Sequence, residues 1–182
     1  MRALAVMAAV LVVAAAPPPA PSLAQEAAQL DPWLGTLYDD FGLNLFYPMG
    51  HRPNARRSSE TGDAGETLRT LVVNIPLAAG GAFTAHAFSL AGSGKLDPEM
   101  VLASYTIDPD VTGIEEVFAA SGRAWEFDTV EGKRPVRHHL VVVGQRWYHL
   151  QSVSGPAGTL DPRTLQFFHG AMITPERVDS GW

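Results

Sequence analysis

The sequence has no cysteine. That absence excludes disulfides, thiolate catalysis, cysteine-ligated zinc and iron–sulfur clusters, and the lipidated cysteine of a bacterial lipoprotein. Basic residues are few, 13 against 19 acidic, and the formal net charge is -6. A general nucleic-acid binder carries a basic face, so no nucleic-acid partner is expected. No hydrophobic run reaches the about 20 residues that cross a bilayer; the run Ala3–Ala16 is 14 residues. Also missing are a Gly-x-Ser-x-Gly nucleophile elbow, a phosphate-cradling glycine loop, a full calcium-loop pattern and any internal repeat.

What is present is a chain of 182 residues with 46% hydrophobic and 18% charged residues. It suits one core-forming domain. The first 24 residues read as a secretory signal peptide. Arg2 is the positive start, Ala3–Ala16 the apolar stretch, and Pro17, Pro18, Pro19 and Pro21 break any helix. Cleavage is expected after Ala24, because cuts after Ala16 or Ala20 would leave proline next. The mature chain, residues 25–182, is expected to be a single periplasmic or secreted domain with no membrane span.

Asp31–Leu37 leads in, with Trp33 and Leu34 as packing anchors. Phe41, Leu43, Leu45 and Tyr47 alternate with Gly42, Asn44 and Phe46, as in a half-buried strand. Residues 50–67 read as a polar loop whose Arg52, Arg56 and Arg57 suit either solvent or an anion. Leu68–Pro76 and Ala82–Leu90 read as a hairpin turning at Gly80-Gly81. Asp97-Pro98 is expected to open a helix through Ala103. Ile114–Ala120 also reads as helical, ending at Gly122. Leu160–Ile173 reads as the last helix, capped by Asp161, with Leu165, Phe168, Met172 and Ile173 facing inward.

Between them, three alternating runs form a meander: Arg123–Val130, Pro135–Val143 and Arg146–Ser154. The links are Glu131–Arg134 and Gly144-Gln145, the latter with glycine first as in a type II′ turn. The shortest registers set Val130 opposite Pro135 and Val143 opposite Arg146. One face then holds Trp125, Phe127, Thr129, Val136, Leu140, Val142, Trp147 and Val153, with His138, His149 and Gln151. The other sets Asp128 opposite Arg137, Glu126 opposite His139, and Val141 opposite Tyr148. Complementary pairs fall into place unforced, and a one-residue slip would move every side chain to the wrong face. The Trp125 face is expected to seat the helix from Leu160.

His138 and His149 share a face with Cβ atoms at roughly 7 Å. Two imidazoles are too few for zinc, and His86 adds a third only if its strand lies alongside. No metal or cofactor is expected. Glu115 and Glu116 would point apart on a helix, and Asp108 and Asp110 flank a proline. Glu126, Asp128, Arg137 and His139 form the acid–base cluster, which also reads as solvated cross-strand ion pairs. With Tyr148 they make the expected binding surface, extending toward the Gly132-Lys133-Arg134 turn.

The order of the second half carries a resemblance. Glu116-Val117-Phe118 precedes a strand, a Gly-Lys turn, and a strand with Arg137. Val141-Val142-Val143-Gly144-Gln145-Arg146-Trp147-Tyr148-His149-Leu150 follows, and then a helix with Phe167-Phe168. With the opening Phe41–Pro48, this resembles the PsbP-like family and related exported bacterial domains of unknown function. The family's closing Ser-Phe is absent, with Ala171-Met172-Ile173 in its place. The resemblance implies an α+β fold, an antiparallel sheet with helices on one or both faces in an α/β/α sandwich. It also implies a non-catalytic accessory or binding domain that assists assembly of a complex, with a protein partner in the cell envelope. The alternative is a small exported enzyme, such as a hydrolase, using Glu126 and His139.

Overall fold

A computed structural model describes residues 32–63, 65–92, 96–120 and 122–174. The expected signal peptide and its cleavage site lie outside these residues.

Seven antiparallel strands make the main sheet: β3 (Asn54–Thr61), β4 (Thr67–Pro76), β5 (Ala82–Ala91), β6 (Thr112–Val117), β7 (Arg123–Glu131), β8 (Arg134–Val143) and β9 (Arg146–Val153). Their order is β3-β4-β5-β9-β8-β7-β6. A small second sheet joins β1 (Trp33–Tyr38), β2 (Leu43–Pro48) and β10 (Met172–Ile173) in the order β1-β2-β10. The helices are α1 (Pro98–Thr106) and α2 (Thr164–Gly170), with a 3-10 turn at Asp39–Phe41. The chain is therefore mixed α+β, and antiparallel sheet dominates it. Among the described residues no helix is long and apolar enough to cross a membrane.

The meander has the register that its turns dictate. Val130 pairs with Pro135, Asp128 with Arg137 and Glu126 with His139. Val143 pairs with Arg146 and Val141 with Tyr148. Gly132 and Lys133 both take positive φ, 54° and 74°, as a tight two-residue turn requires. The alternation then sorts side chains into two cores. On the Tyr148 face, Leu71, Val73, Phe83, Ala85, Val141 and Leu150 pack with Phe41, Leu43 and Leu45 from the β2 region and Phe167 and Phe168 from α2. On the Trp125 face, Trp125, Phe127, Leu140 and Val142 pack with Val101 of α1.

Several expectations change. The last helix lies on the Tyr148 face, not on the Trp125 face. Phe167 stacks on Phe83 with centroids 4.4 Å apart, and Thr164 Oγ1 meets Ser152 Oγ at 2.8 Å. Two adjacent phenylalanines bury more area than the expected Leu165 and Met172, which are exposed. Asp161 does not cap that helix. Its carboxylate accepts from the Arg163 backbone N–H and guanidinium, closing a turn before the helix.

The Trp125 face takes α1 instead. Asp97 caps it by accepting from the Glu99 N–H at 2.9 Å, and it runs to Thr106, past the expected Ala103. Residues 114–117 belong to strand β6, not to a helix, because pairing with β7 outweighs the helix propensity of Glu115 and Glu116. Glu116 accepts two hydrogen bonds from Arg123, at 2.9 and 3.0 Å. The polar loop contains strand β3, exposed along its length at the sheet edge. An edge strand wet on both faces has no alternation to read, and polar residues there discourage further pairing.

Candidate functional site

Glu126 on β7 and His139 on β8 are cross-strand partners, so the meander register alone brings them together. Both are 6% exposed. His139 Nδ1 lies 3.3 Å from Glu126 Oε1. Helix α2 then delivers a third group to the same atom: His169 Nε2 lies 3.0 Å from Oε1. Arg137 Nη2 donates to the other carboxylate oxygen, Oε2, at 3.3 Å. One buried carboxylate thus gathers two imidazoles and a guanidinium.

Packing holds the His139 ring. His139 stacks on Phe168 at 5.5 Å and 21°, and His169 meets it edge-on at 5.9 Å. Burial lowers the pKa of His139 while Glu126 pulls it up, and the lowering prevails. The ring is therefore neutral at neutral pH, and the tautomer with its proton on Nδ1 donates to Glu126. His139 and His169 face a cavity of about 710 Å³, lined also by Phe118, Val141, Phe168 and Met172. At its rim Phe118 is 94% and Met172 52% exposed.

The five sequence-derived residues separate by role. Glu126 and His139 form the buried pair, Arg137 braces it, and the half-exposed Asp128 lies 4.0 Å from Arg137 Nε. Tyr148 is fully buried, and its hydroxyl donates to the Phe41 carbonyl at 2.7 Å. It ties the main sheet to the segment before β2. His169 was not anticipated. Its only signal was its place beside Phe167-Phe168, which became useful once those rings had chosen a face.

The Trp125 face holds three further histidines, His86, His138 and His149. Strand β5 lies beside β9 and sets His86 opposite His149. His138 Nδ1 lies 2.9 Å from His149 Nε2, and His138 Nε2 lies 2.7 Å from Thr129 Oγ1. Their rings stack at 5.1 Å, with Phe127 against His138 and Tyr105 against His149. Burial pushes His138 down to about 4. Burial, with His138 and His86 nearby, pushes His149 down to about 2. A cavity of about 550 Å³, bordered by Phe88, Tyr105 and Ile107, opens beside them.

Among the described residues, Glu126, His139 and His169 are the group of three metal-capable side chains whose donor atoms lie within 4.8 Å of one another. Arg56 and Arg57 are neighbours on β3 and so point to opposite sides, and Arg57 pairs with Asp40 at 3.1 Å. Compared with family models, with curated proteins and with solved structures, the chain matches none.

Proposed function

We propose that this protein is an exported accessory domain that binds a protein partner in the cell envelope, at the cavity beside Glu126, His139 and His169. The observation that carries this reading is the pair of apolar side chains, Phe118 and Met172, exposed beside a mostly apolar cavity that two imidazoles also line. Exposed large apolar groups around a cavity with a few fixed polar groups suit a partner that inserts an apolar side chain. The net charge of -6 argues against nucleic acid as that partner. The export half rests on the sequence of residues 1–24, and the mature chain would begin at Gln25. Membership of the PsbP-like family, with its α/β/α sandwich, is proposed on the sequence resemblance over Phe41 to Ile173.

A photo-crosslinking residue at position 118 tests the reading in the expressing bacterium. The expected result is one discrete envelope adduct, weakened several-fold by Met172→Asp. Absence of an adduct, or an adduct indifferent to Met172→Asp, overturns it. N-terminal sequencing that finds Met1 intact overturns export.

The second reading, a small exported hydrolase, is favoured by one observation: a buried neutral imidazole against a carboxylate, the pairing that orients a general base. Turnover of an ester, phosphoester or peptide that is lost in Glu126→Gln and His139→Ala would replace the binding reading with this one.

A further inference from the structure

We propose that Glu126, His139 and His169 form a binding site for a divalent transition-metal ion of the zinc class, at the wall of the cavity. This inference rests on that cavity being the working site. Two imidazoles and one carboxylate are the donor set that zinc takes when one position is left open to water or a ligand.

The distances fit. Four ligands about 2.0–2.1 Å from a tetrahedral ion stand about 3.3 Å from one another. Glu126 Oε1 lies 3.3 Å from His139 Nδ1 and 3.0 Å from His169 Nε2, and all three donor atoms fall within 4.8 Å. Little more than an outward step of one imidazole would admit an ion. His169 can make that step, since its side chain is 60% exposed near the end of α2. The other two ligands sit on paired strands, and Phe168 packs against the His139 ring.

The surroundings supply what a metal site needs behind its ligands. Arg137 holds Oε2, so Glu126 presents Oε1 as a single ligand atom in a fixed direction. Each imidazole binds through the nitrogen that now faces Oε1, with a proton carried on the other ring nitrogen. The open fourth position faces the cavity, between the two histidines and the apolar rim. A carboxylate, imidazole or water brought there would complete the tetrahedron. Without metal the same three groups satisfy one another by hydrogen bonds, so the fold does not depend on the ion.

Untagged full-length protein, stripped with chelator, is titrated with Co²⁺ by absorbance and with Zn²⁺ by calorimetry. The expected result is one ion per chain, with the visible bands of four- or five-coordinate cobalt. His169→Ala should weaken binding at least about tenfold while the far-ultraviolet circular dichroism stays unchanged. His86→Ala, on the opposite face, should bind as the parent does. Absence of cobalt bands, or binding that survives His169→Ala, overturns the site. Partner capture at position 118 without cobalt bands overturns the metal site and leaves the binding reading standing. Cobalt bands without capture support the metal site and overturn the partner.

Discussion

His169 and Glu126 join the last helix to the sheet: the imidazole Nε2 on α2 lies 3.0 Å from Oε1 on β7. The contact gives a buried carboxylate one exposed partner, so the two residues differ in what their loss should do.

Glu126→Ala strips the acceptor from two imidazoles and a guanidinium, and the His139 partner it leaves is itself buried. We expect it to cost on the order of 3 kcal/mol. His169→Ala removes a solvent-exposed partner and should cost under about 1 kcal/mol. Urea denaturation of both variants checks this. Equal costs would contradict the placement of Glu126.

Tyr148→Phe deletes the hydroxyl that donates to the Phe41 carbonyl. The buried carbonyl loses its partner, for an expected cost of about 1–2 kcal/mol. Adduct yield from position 118 should not change. A loss of adduct with unchanged stability would make Tyr148 a contact residue instead.

Stability should fall as the medium is acidified. His138 and His149 are held neutral in the folded protein, with pKa values pushed down to about 4 and about 2. Unfolded, both protonate near pH 6.5. Below that pH the unfolded state binds more protons, so each histidine removes up to about 1.4 kcal/mol per pH unit until its folded pKa is reached. His86 and His139, also lowered by burial, act in the same direction. Between pH 6.5 and 4.5 the histidines dominate; Glu116 and Asp161, with lowered pKa values, join only below that. Denaturation across this window should show the slope, and His149→Asn should flatten it. A flat parent profile would contradict the buried neutral pair.

Phe167→Ala removes the ring stacked on Phe83 and should cost about 3–5 kcal/mol. It should also weaken cobalt binding, because α2 positions His169. A near-zero cost would return the helix to the Trp125 face.

How much of this the sequence carried depends on range. The Glu126–His139 pair was legible by counting across the Gly132-Lys133 turn, because a two-residue turn and strict alternation leave one register. The strand beside β9 was not legible, because nothing local says that β5 pairs there and brings His86 opposite His149. His169 was hidden for a related reason. Its helix is short, and the face it covers is decided by Phe83, far away in the chain. Strands β3 and β6 were misread because edge strands in solvent show neither alternation nor strong β propensity. Glu115, Glu116, Ala119 and Ala120 favour a helix until β7 offers its hydrogen bonds.

We propose that this protein meets its partner at the cavity by Glu126, His139 and His169. The most direct measurement compares photo-adducts formed in the cell envelope from position 118 and from position 107. Ile107 is a fair control, since it is 87% exposed and borders the histidine cavity on the opposite face. The expected result is a discrete adduct from position 118 at several times the yield from position 107. An equal or greater yield from position 107 would contradict it.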